Sequence, residues 1–417
     1  MPVSRFFPHP IRVLLAGLML ASCASPAPQQ AVRQAVQRNP GYESAQMNSV
    51  LTQRASLALP GARLELVLRV PGMPGKYPLI VFMAGLGEPA DAAATLMDHW
   101  TEAGYAVLAM QGTPDGPAMM AGARGKGRAS RELAAQAYGP DRLAQRLGWL
   151  DGVLGNLRAG TVPDGLSADN VARIDSTQLI LAGFDIGAQT VQAAAGEHWA
   201  GVAARRLPEG VRGLILLSPH AGPGGESAAT RYAAIQVPVL AVSSDEDVDG
   251  FDFVTQPAVR RQVFEHLPGS EKYLLQLSWA SHAVVGGGGG LGAGFSVEDR
   301  AGKPEDKAEG RGGNGGRGGP GGAGGPGGQG GPGGGSGGGP GGGMGGDRGG
   351  PPGGASGKPK GGGEPAQPMD DAEQAKSLRA VSLAFIDMQL RGDDIARNWL
   401  LRDANRWLGQ TGKFYGR

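Results

Sequence analysis

Three residues of types that enzymes use in catalysis, Asp185, Asp247 and His282, each follow an apolar run of the sequence. Asp185 lies between Gly183 and Gly187, and small residues at this spacing favour a tight turn between a strand and a helix. A carboxylate with its ordinary pKa of about 4 is ionised at neutral pH and can attack carbon without the help of a base. An imidazole that a second carboxylate orients can then activate water. The pattern therefore predicts that Asp185, Asp247 and His282 form a catalytic set.

The identity of the second acid is open at this point, because Asp245, Asp247 and Asp249 all follow the same predicted strand. Spacing from the strand favours Asp247, and an acidic, solvent-exposed loop is the alternative interpretation of this segment. Of the six histidines, His282 alone has the order and the strand-end position of a catalytic base.

Backbone groups and neighbouring side chains complete the predicted site. We expect the N–H groups of Ile186 and Leu86 to form an oxyanion hole, since backbone donors do not depend on the side chain present. The glycine-rich loop around Leu86 lacks the Lys-Ser/Thr of a phosphate-binding loop, which excludes nucleotide binding there. The residues predicted to line the pocket are Met83, Ala84, Phe184 and His220.

Buried strands alternate with helices along most of the chain. The predicted strands with continuous apolar sequence are 77–83, 105–110, 179–183, 213–217, 237–242 and 273–277. The predicted helices are 90–103, a leucine stripe over 143–157, 371–390 and 393–408. Residues 62–70 alternate between apolar and polar and predict an antiparallel edge strand. The fold class predicted is α/β, with a mostly parallel central sheet covered by helices on both faces.

On these motifs the chain resembles the α/β-hydrolase superfamily, and within it the group of dienelactone hydrolases and platelet-activating-factor acetylhydrolases. The group usually has S-H-G-L-G after the first parallel strand and G-H-S-x-G at the nucleophile turn. This chain has Met83-Ala84-Gly85-Leu86-Gly87 and Gly183-Phe184-Asp185-Ile186-Gly187 there. The resemblance runs from about Leu64 to His282, resumes in the C-terminal helices, and implies the α/β-hydrolase fold with Asp185 in place of the nucleophilic serine.

Two hypotheses for function follow. In the first, the chain hydrolyses an ester or another small apolar substrate with Asp185, Asp247 and His282. Haloalkane dehalogenases and epoxide hydrolases of this fold use such an aspartate, although here the interval from Leu217 to Val237 is too short for their cap. Attack on an ester carbonyl would give a reactive anhydride, so a carboxylate suits an alkyl carbon better. In the second, the chain is an inactive relative that binds or supports other molecules, with Asp185 and His282 as an ion pair.

Composition narrows the classes of function further. The 417 residues include 39 basic and 38 acidic side chains, for a net charge of +1, so no basic field indicates nucleic-acid binding. A single cysteine excludes internal disulfides and multi-thiolate metal sites, and no pattern indicates a cofactor or a metal.

The N-terminus resembles a bacterial lipoprotein signal. Two arginines precede an apolar run over 13–21, which ends in Leu20-Ala21-Ser22-Cys23. The resemblance implies cleavage before Cys23, lipidation of that residue, and anchoring in the bacterial cell envelope, facing the periplasm or the cell exterior.

The predicted organisation has five parts, with the catalytic domain in two pieces. These are a signal peptide at 1–22, a tether at 23–45, the first part of the hydrolase domain at 46–285, a Gly/Pro-rich insertion at 286–368 and C-terminal helices of the same domain at 369–417. We expect the insertion to be disordered, and it is a candidate contact for an unknown partner.

Overall fold

A computed structural model describes residues 41–122, 127–221, 227–288 and 368–417 of the chain. Nine strands form one sheet, and the prediction of an α/β fold with a mostly parallel sheet is confirmed. The strands are β1 (Val50–Leu59), β2 (Ala62–Pro71), β3 (Tyr77–Met83), β4 (Ala106–Gly112), β5 (Ile174–Phe184), β6 (Val211–Leu217), β7 (Val239–Ser244), β8 (Lys272–Leu277) and β9 (Gly412–Gly416). Their order in the sheet is β1-β2-β4-β3-β5-β6-β7-β8-β9. The pairs from β4 to β8 in this order are parallel, and the three outer pairs are antiparallel.

Helices cover both faces of the sheet. They are α1 (Ala94–Glu102), α2 (Arg128–Ala137), α3 (Pro140–Arg158), α4 (Ala168–Val171), α5 (Ile186–Ala194), α6 (Ala228–Tyr232), α7 (Ala258–His266), α8 (His282–Val285), α9 (Pro368–Leu390), α10 (Asp394–Asn398) and α11 (Ala404–Leu408). One core cluster joins the sheet to α1, α8, α9 and the helices after it, and another joins the opposite face to α3, α5 and α7. The parts of the parallel strands with both faces buried are largely apolar, whereas residues 175–178 of β5 are polar and partly or fully exposed.

The prediction that 62–70 is an edge strand is wrong. Strand β2 pairs with β4 on one side and with β1 on the other, so β1 is the edge. The sequence of β1 shows only weak alternation, and most of its residues are partly or fully exposed. An edge strand that buries little surface carries little pattern by which to recognise it.

The C-terminal segment is part of the same sheet and core. Val381 and Phe385 of α9 are fully buried against the sheet, and β9 pairs antiparallel with β8. At the other end of the described chain, Tyr42 packs on Trp399 with ring centroids 5.7 Å apart and donates a hydrogen bond to Asp387. No helix within the described ranges is long and apolar enough to cross a membrane.

Candidate active site

Asp185 occupies the turn between β5 and α5. Its backbone has φ 56° and ψ −113°, a left-handed region that costs a non-glycine residue about 1–3 kcal/mol. A Cβ on Gly183 would overlap the backbone of Gly187, and a Cβ on Gly187 would overlap the carbonyl oxygen of Met83. The two glycines are therefore needed for the close approach of strand and helix, and they leave Asp185 as the side chain presented at the end of the strand.

Two donors hold the carboxylate of Asp185. The N–H of Leu86 donates to Oδ2 over 3.3 Å, and the hydroxyl of Tyr138 donates to Oδ1. The carboxylate also lies at the N-terminus of α5, where the helix dipole favours negative charge. Burial, followed by the charge of Asp185, raises the pKa of Tyr138 well above its ordinary value. Tyr138 is thus a neutral donor, and the side chain of Asp185 is only 3% exposed.

The three predicted catalytic residues lie together. Nδ1 of His282 is 2.6 Å from Oδ1 of Asp247, and Nε2 of His282 is 3.9 Å from Oδ1 of Asp185. An N–H on Nδ1 directed at Asp247 leaves Nε2 of a neutral imidazole as the acceptor that faces Asp185. The 3.9 Å separation is too long for a direct hydrogen bond. His282 is 17% exposed, which makes it the most accessible of the three side chains.

Two comparisons of the chain with known proteins found no match. No protein-family model matches the chain, and no curated protein matches it.

The structure distinguishes among the three acids that sequence spacing left open. Asp247 contacts His282, whereas Asp245 accepts a hydrogen bond of 2.9 Å from Gln276 on β8. Asp249 instead stabilises its own loop, because its carboxylate accepts hydrogen bonds from the backbone N–H groups of residues 251, 253 and 254. Asp247 is therefore the acid that orients the imidazole.

A buried arginine and a serine support Asp247. Nε of Arg260 lies 3.2 Å from Oδ1 of Asp247, and its Nη1 donates to the carbonyl of Ser218 over 2.9 Å. The hydroxyl of Ser218 donates to the carboxylate of Asp247. Burial alone would raise the pKa of Asp247, but the hydrogen bond with His282 and the charge of Arg260 outweigh it and hold this pKa below its usual range. The acid therefore stays ionised.

The predicted pocket residues take different positions. The ring of Phe184 contacts the imidazole of His282, with centroids 4.5 Å apart. The ring of His220 lies 4.5 Å from that of Tyr138, and burial lowers the pKa of His220 to about 3. Met83 and Ala84 are buried in the two core clusters on opposite faces of the sheet.

Aromatic rings pack around Tyr138, the side chain that donates to Asp185. Tyr138 stacks on Phe253 with centroids 4.7 Å apart, and His220 lies 5.5 Å from Phe253. Leu86 and Ile186 belong to the same small apolar cluster as Tyr138. Apolar and aromatic side chains therefore pack on one side of Asp185, and His282 lies on another.

Both predicted oxyanion donors are at the site, with different partners. The N–H of Leu86 already donates to Asp185 itself. Ile186 is the first residue of α5, so its N–H is one of those that an α-helix leaves without an intrahelical acceptor. Within the described ranges, no cluster of His, Cys, Asp and Glu could hold a metal ion. Cys23, the signal peptide and residues 289–367 of the Gly/Pro-rich insertion predicted at 286–368 lie outside the described residues, and residue 368 begins α9.

Four residues at the site had no role in the sequence analysis: Glu88, Tyr138, Ser218 and Arg260. Glu88 had a usable signal, because it ends the same glycine-rich turn that carries Leu86. Tyr138 and Arg260 come from α2 and α7, elements that carry no motif. Only the packing of the chain brings them to Asp185 and Asp247.

Proposed function

We propose that the chain is a hydrolase of the α/β-hydrolase fold that uses Asp185 as a nucleophile toward a small apolar substrate. The observation that carries the proposal is the arrangement of the Asp185 carboxylate. Oδ2 accepts the N–H of Leu86, whereas Oδ1 accepts the hydroxyl of Tyr138 and lies 3.9 Å from Nε2 of His282. A nucleophilic carboxylate needs one oxygen held by donors and the other directed toward the substrate.

In the first step, Oδ1 of Asp185 attacks an sp³ carbon of the substrate. A new C–O bond forms, and the leaving group departs with the electron pair of the bond that breaks. No proton has to be removed from Asp185, which agrees with the absence of a direct hydrogen bond between Nε2 and Oδ1 at 3.9 Å. The hydroxyl of Tyr138 occupies one lone pair of Oδ1, so the attack uses the other lone pair of that oxygen.

In the second step, His282 removes a proton from water, and the hydroxide attacks Cγ of Asp185. Negative charge develops on Oδ2 in this step. Oδ2 already accepts a hydrogen bond from the N–H of Leu86, which stabilises that charge. The bond from Cγ to Oδ1 breaks, the product alcohol takes the proton from His282, and Asp185 keeps one oxygen from water. Asp247 orients the imidazole and stabilises its charged form during the step.

A specific observation favours a second candidate function, that of a non-catalytic binding or structural protein. The donors that hold Asp185 are groups of the chain itself, and Tyr138, which stacks on Phe253, donates to a carboxylate that is 3% exposed. In that case Asp185 closes a former active site. The native protein would then hydrolyse no aryl ester, epoxide or haloalkane, and Asp185→Ser would restore activity toward aryl esters.

Trapping the covalent intermediate separates the two candidates. In His282→Gln the first step can proceed but water is not activated, so the alkyl ester on Asp185 accumulates. After incubation with styrene oxide, we expect the intact mass of this variant to increase by that of the whole epoxide. With 1-bromohexane, bromide departs and the mass should increase only by that of the hexyl group that replaces the carboxyl proton. Peptide mapping should place either adduct on Asp185.

The matched control is the double variant Asp185→Asn, His282→Gln, which has no nucleophilic carboxylate and should stay unmodified. An unmodified single variant, or an adduct on any residue other than Asp185, would contradict the proposed mechanism.

We also propose that Cys23 anchors the protein by lipidation to a membrane of the cell envelope. The support is the sequence Leu20-Ala21-Ser22-Cys23 after an apolar run. In a bacterial host the full chain should partition into detergent on phase separation, and Cys23→Ser should move to the aqueous phase. Equal partition of both proteins would contradict the anchor.

A further inference from the structure

Glu88 ends the turn that presents Leu86 to Asp185. Its N–H donates to the carbonyl of Gly85 over 3.3 Å, and its Oε2 accepts the N–H of Gly85 over 3.3 Å. The amide of Gln111 on β4 donates to the carbonyls of both Gly85 and Glu88, over 2.7 and 3.0 Å. The carboxyl of Glu88 is thus fixed beside the backbone donor of the site.

The same carboxyl faces the catalytic residues. Both Oε2 of Glu88 and the ring of Phe184 lie close to Gly85. A Cβ added to Gly85 would be 3.0 Å from Oε2 and 2.5 Å from the Phe184 ring. That ring in turn packs on His282. Burial raises the pKa of Glu88 to about 7; the charge of Asp185 adds to this rise, and His282 opposes it. Unlike Asp185, Glu88 is partly exposed, so it can exchange protons with solvent.

Other charged groups near this loop have partners of their own. Glu65 of β2 accepts the N–H of Ala90 over 3.4 Å. Asp115, after β4, forms ion pairs with Arg142 and Arg146. Asp185 and His282 are therefore the ionisable groups that act on Glu88 directly.

We infer that Glu88 is the general acid of the reaction and that the leaving atom is an oxygen, as in an epoxide. The inference rests on the proposed function and narrows its substrate class. A halide leaves as a stable anion, whereas the oxygen of a strained cyclic ether leaves as an alkoxide and needs a proton. A neutral carboxylic acid kept beside a carboxylate supplies one at neutral pH.

The proton balance closes with Glu88 in this role. As Oδ1 of Asp185 bonds to the ring carbon, the C–O bond of the epoxide breaks and the ring oxygen takes the proton of Glu88. Hydrolysis of the ester then releases the vicinal diol and leaves Asp185 as a carboxylic acid, whose proton returns to Glu88. The net reaction is epoxide plus water to diol.

Tyr138 is a poorer acid for this step. Its pKa is raised far above neutrality, because a phenolate would be buried beside the negative charge of Asp185. We assign Tyr138 a hydrogen-bonding role toward the carboxylate, since a residue that stays neutral can donate a hydrogen bond without transferring its proton.

The test compares alkylation of Asp185 by styrene oxide and by 1-bromohexane in the His282→Gln background. Glu88→Gln retains an oxygen that can accept the N–H of Gly85 but carries no proton to give. We expect it to lower the ratio of epoxide rate to bromide rate by about 100-fold, a typical contribution of general acid catalysis. The epoxide rate should fall above pH 7 with Glu88 present and stay level in Glu88→Gln.

Glu65→Gln, at a carboxyl of the neighbouring strand, is the matched control and should change the ratio by less than about threefold. An unchanged ratio in Glu88→Gln, or equal loss of both rates, would mean that Glu88 only supports the turn and would overturn the inference alone. Failure of both compounds to modify Asp185 would overturn the proposed function together with it.

Discussion

At the scale of single residues, the turn between β5 and α5 forms only because Gly183 and Gly187 have no side chains. Asp185 keeps a positive φ, which is uncommon for any residue other than glycine. A core residue released from a catalytic role would be expected to lose such strain, because relief would stabilise the fold by about 1–3 kcal/mol. Retention of the strained turn supports a working nucleophile over a relic.

Replacing Gly187 should therefore be severe. In Gly187→Ala the new methyl would overlap the carbonyl oxygen of Met83, and backbone on both sides prevents relaxation. We expect a loss of about 3 kcal/mol or more in the free energy of unfolding, measured by urea denaturation. Gly148→Ala is the control, since Gly148 is exposed on α3 with no atom within 4 Å of the new Cβ. It should be neutral or stabilise by up to about 1 kcal/mol, and equal effects of the two changes would contradict the packing described for the turn.

Sequence spacing could identify Asp185 and His282, but not every residue that acts on them. Asp245, Asp247 and Asp249 have only one residue between neighbours, so spacing could only favour Asp247, and the contact with His282 was needed to choose it. Arg260 is one of many arginines, and its burial against Asp247 depends on where α7 packs. Long-range packing of this kind leaves no local pattern in the sequence.

At the scale of elements, the turn after β3 makes stability depend on pH. Glu88 has a pKa of about 7 in the folded chain against an ordinary value of 4.5, so the folded state binds its proton more tightly than the unfolded state. The corresponding stabilisation is complete below about pH 4.5 and is lost as the pH rises through about 7.

Glu88→Gln should remove this dependence. Between pH 4.5 and pH 8, the free energy of unfolding of the native protein should fall by about 1–2 kcal/mol relative to that of the variant. The full rise in the pKa of Glu88 would correspond to about 3 kcal/mol. We expect a smaller effect because solvent reaches part of the side chain and screens its charge. Urea denaturation of both proteins across this range is the measurement, and parallel curves would show that the Glu88 carboxyl titrates normally.

At the scale of the whole molecule, the core is assembled from both sides of the Gly/Pro-rich tract. Trp100 of α1 donates a hydrogen bond of 3.0 Å to Ser382 of α9, and Tyr105 bonds to Asp387 of the same helix. Val381 and Phe385 are fully buried. Removal of 368–417 should therefore abolish cooperative unfolding, seen as loss of a thermal transition.

Shortening the tract itself should have little effect. Replacing residues 290–363 with about 20 Gly/Ser residues keeps both flanks and lowers the entropy of loop closure, which stabilises the fold by about 1 kcal/mol at most. Calorimetry should give an equal or slightly higher melting temperature. A loss of several degrees would mean that the tract contributes packing to the domain.

The sequence predicted this architecture where burial is complete and failed where it is partial. Strands β3, β4, β7 and β8 are largely apolar, and so are the C-terminal parts of β5 and β6, so the positions of these segments followed directly. Strands β1 and β9 lie at the two edges, and their short or exposed sequences escaped recognition. The same limit applies to α2, whose role becomes clear only when Tyr138 is seen beside Asp185.

The central claim is that the Asp185 carboxylate attacks the substrate. The most direct test is a single turnover in water enriched in heavy oxygen, with the native protein in excess over the substrate. Styrene oxide is the substrate, and both the product diol and the peptide that carries Asp185 are weighed by mass spectrometry. We predict one heavy oxygen in the Asp185 carboxylate and none in the diol, because water attacks Cγ of the ester. Heavy oxygen in the diol with an unlabelled Asp185 would mean that water attacks the substrate directly, and would contradict the mechanism.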